Sequence, residues 1–193
     1  AHKIVFSPTD DAHKALEGLR HIHGALEQSR GYAIPDWAYR DVLFMLIHYS
    51  IASYELLENK LSNAEKEEVY NVFFRLGTGM GLKSLPATYT EWLPVRKAHL
   101  MEDLEKSKYT DDLFLQYKKH LGAMRYKVLI EGQKLVVPNR VRSLLNFSTH
   151  SMLTPVVPLY KFSRMLKMDW VLKSVLFPPA YKNQIKELNV KTD

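Results

Sequence analysis

Cysteine is absent from the 193-residue sequence. Its absence excludes a disulfide framework, a cysteine zinc site, an iron–sulfur cluster, and a thiolate that could act as nucleophile or haem ligand. The eight histidines are therefore the side chains best suited to bind a transition metal.

Long hydrophobic runs are absent too. No stretch of 18 uninterrupted apolar residues occurs, so a transmembrane helix is not expected. The start of the chain, Ala1–Phe6, holds one apolar triplet where a signal peptide needs about seven apolar residues or more. We therefore expect a cytoplasmic or peripheral membrane protein. Because the chain does not begin with Met, we also expect a segment ahead of residue 1, and an export signal there stays open.

The pattern of apolar residues predicts helices throughout. Period-two alternation, which is typical of strands, is nearly absent, whereas helical spacing and helix caps recur. We predict an all-α fold in which residues 1–193 form a single multi-helix bundle domain. Caps, glycines and prolines predict helices over about 10–28 and 36–60, from Ser62 to the glycines at 77–81, from Thr88, over about 110–121 and 123–136, from Pro138 to Leu145, and from Pro155 onwards.

The second predicted helix has almost no polar side between Val42 and Ala52, so we expect it to be long, central and buried. The glycine run Gly77–Gly81 follows the third helix. Its third glycine comes one residue too early for a dinucleotide-binding loop and no strand precedes it, so we interpret it as a helix end. Motifs for a P-loop, a nucleophile elbow, a zinc-protease helix and a di-iron bundle do not occur.

The net charge of +6 is concentrated toward the C-terminus. Residues 1–117 hold 13 basic and 17 acidic side chains, whereas residues 118–193 hold 14 and 4. No aromatic-interleaved basic stripe accompanies the surplus, so we expect no nucleic-acid partner. Residues 159–193 are predicted to form a basic C-terminal helical segment. It either contacts an anionic membrane surface through residues 159–177 or packs on the bundle with its basic face in water.

One histidine points toward the apolar side of the first predicted helix. At about 100° per residue, His23 falls between Leu16 and Leu19. The apolar stripe comprises Ala12, Ala15, Leu16, Leu19, Ile22 and Leu26. An unpaired buried ring nitrogen costs about 1–3 kcal/mol, so His23 is either a hydrogen-bonded core histidine or an axial ligand of a haem iron.

His48 lies in the apolar second helix. It either bonds a neighbouring carbonyl or lies on the distal side of a bound cofactor, where it would donate a hydrogen bond to dioxygen. The remaining histidines in mixed or polar surroundings carry no signal that separates them from surface residues: His2, His13, His99, His120 and His150.

Several short motifs follow one another along the chain. They are Arg20-x-x-His23, Gly31-Tyr32-Ala33-x-Pro35-Asp36, a long apolar helix ending in Tyr54-Glu55, Leu61-Ser62-x-x-Glu65, Gly81, Leu85-Pro86-x-Thr88-x-x-Glu91-Trp92 and Pro138-x-Arg140. Over about residues 10–165, their order and spacing resemble the catalytic domain shared by ER-bound oxygenases of the mpaB type and rubber oxygenase, the latex-clearing protein. The same domain occurs in many bacterial proteins.

The resemblance implies an all-α fold and a haem b whose iron is bound by the histidine of the Arg-x-x-His helix, here His23. Arg20 would meet a haem propionate or orient the helix. Rubber oxygenases add dioxygen across an alkene and cleave it to two carbonyl products, which implies a hydrophobic, unsaturated lipid or isoprenoid-like substrate. Family members carry an upstream Arg-x-x-x-Thr element beside the haem. This chain begins after it, so we expect that the first helices of the domain are missing.

Two functions follow from these observations. The first is a haem b-dependent oxygenase that uses dioxygen and has His23 as the axial ligand. The second is a non-catalytic helical module that binds lipid or a protein through Lys161, Arg164 and Lys167 on the basic C-terminal face. The two are compatible, because a peripheral oxygenase could act on membrane lipids. The oligomeric state stays open.

Overall fold

The structure, a computed structural model, describes residues 9–165. Over these residues the chain forms seven α-helices and no β-strand, which confirms the predicted all-α fold. The helices are α1 Thr9–Arg30, α2 Asp36–Leu57, α3 Asn63–Gly79, α4 Tyr89–Glu102, α5 Lys108–Val136, α6 Asn139–Leu144 and α7 Val156–Met165.

Local sequence sets several of the helix boundaries. α3 begins with a capping box, in which the Ser62 side chain accepts from the backbone of Glu65 and the Glu65 carboxylate accepts from the backbone of Ser62. At the start of α4 the Thr88 side chain accepts from the Glu91 backbone, at 3.2 Å. The Glu91 carboxylate, however, accepts from the backbone of Ala87 rather than from that of Thr88. Thr88 and Glu91 therefore form only the first of the two bonds of a capping box.

Two of the predicted helices meet without a loop. Gly122 interrupts α5 with φ 74° and ψ 166°, which is a left-handed conformation that glycine adopts easily. The chain therefore kinks at the position where the sequence predicted one helix to end and the next to begin.

The glycine run allows close packing at the end of α3. A Cβ atom on Gly77 would lie 2.6 Å from a Leu43 methyl and 2.8 Å from a Leu85 methyl, and one on Gly79 would overlap the Leu16 side chain. Gly81 has φ 89°, where other residues are strained. α3 ends at Gly79, inside the run, which confirms the interpretation of the run as a helix end.

The chain divides into two compact units. Of the described residues, the first unit contains 9–52 and 60–103, and the second contains 53–59 and 104–165. A single domain over residues 1–193 stays a prediction.

The core of the first unit is built on α2. Four α2 side chains are buried on one stripe of the helix: Leu43, Phe44, Ile47 and Ile51. Buried residues from the following elements complete it: Tyr70, Phe73, Leu76, Leu82 and Trp92. α2 is therefore buried along one stripe and not on all sides, because Val42 and Met45 are exposed.

In the second unit, Glu131 of α5 is a buried carboxylate that is hydrogen-bonded to the loop preceding α7. It accepts from Lys134 Nζ at 2.6 Å and from the backbone N–H of Met152 at 2.7 Å. The Ser151 hydroxyl donates to the Glu131 backbone carbonyl. The bonds from Lys134 and Met152 hold the pKa of Glu131 below its usual range, which keeps the buried carboxylate ionised.

Candidate functional site

His23 is half-buried on the inner side of α1, where Leu19 and Leu26 are half-buried too. The structure therefore agrees with the orientation that the helical wheel gave for the histidine. The wheel was wrong about Ile22, whose side chain is 64% exposed. Ile22 lies about 100° around the helix from His23, at the edge of the stripe, where a partner helix no longer covers it.

The His23 ring belongs to a short chain of hydrogen bonds. Its Nδ1 lies 3.0 Å from the hydroxyl of Tyr39 on α2. That hydroxyl donates to Oε1 of Glu27 at 3.2 Å. The His23 and Tyr39 rings also stack, with centroids 5.2 Å apart and planes 25° apart. We call His23, Tyr39 and Glu27 the His23 corner.

The turn between α1 and α2 brings these side chains together. Gly31 ends α1 with φ 73°, and α2 begins directly after Pro35. The Glu27 carboxylate also accepts the backbone N–H of Ile34 at 2.8 Å and so ties the loop back to α1. The Gly31–Asp36 motif thus reverses the chain such that Tyr39, one turn into α2, reaches His23.

Burial, followed by the negative charge of Glu27 and its hydrogen bond, raises the pKa of Tyr39. The phenol therefore stays protonated at neutral pH and can donate to Glu27. Sequence reasoning did not find Tyr39 or Glu27. Glu27 could have been found, because it lies four residues after His23 on the same helix face.

The donor set of the corner fits one axial ligand of a haem. Within residues 9–165, the recorded hydrogen bond of His23 is made through Nδ1, and Nε2 has no hydrogen-bond partner. A haem iron takes four nitrogens from the macrocycle and needs one imidazole nitrogen from the protein. Ligating histidines commonly donate their other ring N–H to an oxygen, as the Nδ1 position here allows.

The other two predicted site residues lie on the same helices. Arg20 is exposed and lies three residues before His23, on the same face of α1. His48 is half-buried on α2 and contacts the ring of Tyr49 edge to face. It follows Tyr39 by nine residues, which is about 13.5 Å along the helix and half a turn around it. The structure thus brings Arg20 to the His23 side of α1, but gives His48 a different side of α2 from Tyr39.

His99 on α4 is a second histidine site, and the sequence-based interpretation of it as indistinguishable from a surface residue was wrong. It is 7% exposed. Its Nε2 lies 2.8 Å from the Asp41 carboxylate of α2 and its Nδ1 lies 2.7 Å from the Asp103 carboxylate. Both ring nitrogens therefore lie within hydrogen-bond distance of a carboxylate. The signal for burial was the spacing of Trp92, Arg96 and His99 on one face of α4.

Arg96 lies one turn before His99 and is 6% exposed. Its Nε and Nη1, and the Nε1 of Trp92, have no hydrogen-bond partner among the described residues. Burial lowers the pKa of Arg96, and the negative charge of Asp41 works in the opposite direction. Asp41 thus interacts both with the buried guanidinium of Arg96 and with the ring of His99.

The predicted basic C-terminal segment is described only as far as residue 165, so Lys167 and most of residues 159–193 lie outside the described part. Within the second unit, Lys161 Nζ donates to the backbone carbonyl of Glu58 at 2.6 Å, and Arg164 pairs with the Glu58 carboxylate. Two of the three basic side chains named for membrane contact therefore have partners within the protein.

The described residues contain neither a metal-ion cluster nor a membrane-spanning helix. Residues 9–165 contain no group of three or more His, Cys, Asp or Glu side chains arranged to hold a metal ion. No helix in the same range has the length and apolar character needed to cross a membrane.

Comparison with known proteins places the chain in a family. No curated protein and no solved structure is significantly similar to it. The family model described as the catalytic domain of ER-bound oxygenase mpaB/B′ and rubber oxygenase matches residues 2–174, which is most of the 193 residues. The chain therefore belongs to the family of mpaB-type and rubber oxygenase catalytic domains.

Proposed function

We propose that this protein is a haem b-dependent oxygenase in which His23 Nε2 is the axial ligand of the iron. Family membership supports oxygenase chemistry, with dioxygen and a small-molecule substrate. The observation that carries the haem assignment is the state of the His23 ring. It is half-buried on a rigid helix, bonded at Nδ1 and without a hydrogen-bond partner at Nε2 in the described chain.

The residues of the His23 corner would have separate tasks. His23 would bind the group, and Tyr39 of α2, which stacks on the His23 ring, would hold that ring in place. Arg20, one turn earlier and exposed, can extend toward a propionate carboxylate and pair with it. When bound, the haem supplies the redox chemistry that activates dioxygen, which no amino-acid side chain here provides.

The substrate we propose is a hydrophobic, unsaturated lipid or isoprenoid-like molecule. Adding one dioxygen across a carbon–carbon double bond and breaking that bond gives two carbonyl groups, so atoms balance without a further reductant. Exposed apolar side chains near His23 in sequence support an apolar ligand: Ile22, Tyr32 and Trp37. They would exclude water from a bound apolar surface.

His48 stays a proposed distal residue that donates a hydrogen bond to dioxygen. The half-buried position of His48 on α2 supports a role inside the protein rather than at its surface. Tyr39 and His48 lie half a turn apart around α2. The side of α2 that carries His48, and not the side that contacts His23, would therefore face the bound dioxygen. If the His48→Ala variant binds both haem and dioxygen as tightly as the wild type does, His48 does not have this role.

An absorption spectrum tests the haem assignment. The purified full chain, supplemented with haem, is expected to show a Soret band, and His23→Ala is expected to lose it. The matched control is His21→Ala, because His21 is an exposed histidine two residues earlier on a different side of α1. No band in the wild-type chain, or a band unchanged by His23→Ala, would overturn the assignment.

The alternative is a non-catalytic module that binds a lipid surface or a protein through α7 and the basic C-terminal segment. Leu159 and Phe162 support it, because they are 63% and 54% exposed beside Lys161. It predicts sedimentation with anionic vesicles that weakens with salt and when Lys161, Arg164 and Lys167 are changed to Glu. Equal sedimentation with anionic and neutral vesicles would contradict it. We propose a cytoplasmic or peripheral membrane location for either function.

A further inference from the structure

We infer that Tyr39, held by Glu27, is a positioning residue for His23: it accepts the Nδ1 proton of the ring and thereby leaves Nε2 as the nitrogen that binds iron. The inference rests on the proposed function, in which His23 is the axial ligand. It assigns to Tyr39 and Glu27 a role that the family motifs in the sequence do not include.

The direction of each hydrogen bond follows from what the groups can donate. The Glu27 carboxylate accepts from the Ile34 backbone at 2.8 Å and has no proton to give. The Tyr39 phenol has one proton, and its 3.2 Å bond to Glu27 uses it. The phenol oxygen is then an acceptor toward His23, so Nδ1 is the donor in the 3.0 Å bond.

Geometry keeps this arrangement in one orientation. The loop between α1 and α2 is tied to Glu27, and Tyr39 stacks on the imidazole at a 25° angle. Rotating the His23 ring to present Nδ1 outward would break the hydrogen bond to Tyr39 and turn the ring against the stack. The corner therefore favours one tautomer and one ring orientation.

The consequence for a metal is direct. A neutral imidazole binds a metal through the nitrogen that carries no proton, which here is Nε2. The carboxylate at the far end of the chain of bonds draws the Nδ1 proton toward Tyr39, which makes the ring a stronger electron donor. Removing such a partner of a ligating histidine commonly lowers metal affinity about 10–100-fold.

The test uses the tautomer of His23 in the full chain without haem. Nitrogen-15 NMR at about pH 8, where an ordinary imidazole is neutral, is expected to find the proton on Nδ1. Tyr39→Phe keeps the stacked ring but removes the acceptor, so the proton is expected mainly on Nε2. Tyr32→Phe is the matched control, because Tyr32 is a 61% exposed phenol in the same loop, and it is expected to leave His23 unchanged.

Haem titration provides the second measurement. Tyr39→Phe is expected to weaken haem binding about 10–100-fold, and Glu27→Gln less, because the amide oxygen can still accept from Tyr39. Glu27→Gln also replaces Tyr39→Phe in the NMR test if circular dichroism shows that the latter does not fold, with a raised Nε2–H population as the expected result.

The outcomes separate this inference from the proposed function. An unchanged tautomer or an unchanged haem affinity in Tyr39→Phe overturns the role of Tyr39. A wild-type chain with the Nδ1–H tautomer and no Soret band supports the hydrogen-bond chain and overturns the haem assignment instead.

Discussion

The first unit contains two histidines, His23 and His99, that differ in how many of their ring nitrogens are hydrogen-bonded. In the His23 corner one nitrogen is bonded and the other has no partner within the described residues. At His99 both nitrogens are bonded to carboxylates, and the ring packs edge to face on Phe44 with centroids 5.6 Å apart. His23 is half-buried, whereas His99 is 7% exposed.

The difference teaches which histidine can bind a ligand and which stabilises the fold. Nε2 of His23 is the ring nitrogen that could bind a ligand, whereas both ring nitrogens of His99 are already bonded to carboxylates. His99 joins α2 to α4 by bridging Asp41 and Asp103, so its bonds contribute to folding. Greater burial therefore marks the structural histidine here, and partial burial marks the ligand candidate.

The largest effect is expected from His99→Leu. The substitution removes two hydrogen bonds to charged groups, each worth about 1.5–3 kcal/mol. Because Asp41 and Asp103 are 39% and 54% exposed, water can hydrate them after the loss, and we expect the free energy of unfolding to fall by about 3 kcal/mol in total. Urea denaturation followed by circular dichroism measures it.

His23→Leu is the matched variant for the other environment. It removes one hydrogen bond from a half-buried ring and adds an apolar side chain to the stripe of α1, so the free energy of unfolding should change by less than about 1 kcal/mol. Equal losses of unfolding free energy in His99→Leu and His23→Leu would contradict the assignment of His99 as the structural histidine and His23 as the ligand candidate.

Much of the fold could be predicted from the sequence because its signals are local. The first helix was predicted over about 10–28 and spans Thr9–Arg30, and the break predicted between residues 121 and 123 is the kink at Gly122. Capping residues, glycines and prolines act within a few residues of their own position, so their effect on helix ends does not depend on the tertiary fold.

The site could be predicted only in part because its remaining contacts are long-range. His23 was found from helical periodicity, but Tyr39 lies 16 residues away on another helix. The spacing of Trp92, Arg96 and His99 indicated a buried face of α4, but not the bond from His99 to Asp41, which is 58 residues away in sequence. Ile22 was misassigned because periodicity gives the direction of an apolar stripe but not its width.

A loss smaller than that of His99→Leu is expected in the core around α2, from Gly77→Ala. The new methyl group would lie 2.6 Å from Leu43 and 2.8 Å from Leu85, so both side chains must shift. Overpacking of this kind costs about 1–3 kcal/mol, and the better helix propensity of alanine returns up to about 1 kcal/mol. We expect a net loss of about 1 kcal/mol in thermal or urea denaturation. A gain in stability would mean that this core is looser than its contacts indicate.

A small gain in stability is expected beside His23, from Gly24→Ala. Gly24 lies inside α1 and is exposed, and an added Cβ would have no atom within 4 Å. Alanine has a higher helix propensity than glycine and loses less chain entropy on folding, and here it meets no steric clash. The free energy of unfolding of the haem-free chain should therefore rise by about 0.5–1 kcal/mol. Urea denaturation of Gly24→Ala and Gly77→Ala under the same conditions compares the two regions directly. A loss in both variants would show that α1 is covered at Gly24 in solution, and the His23 corner would then be as closed as the core around His99.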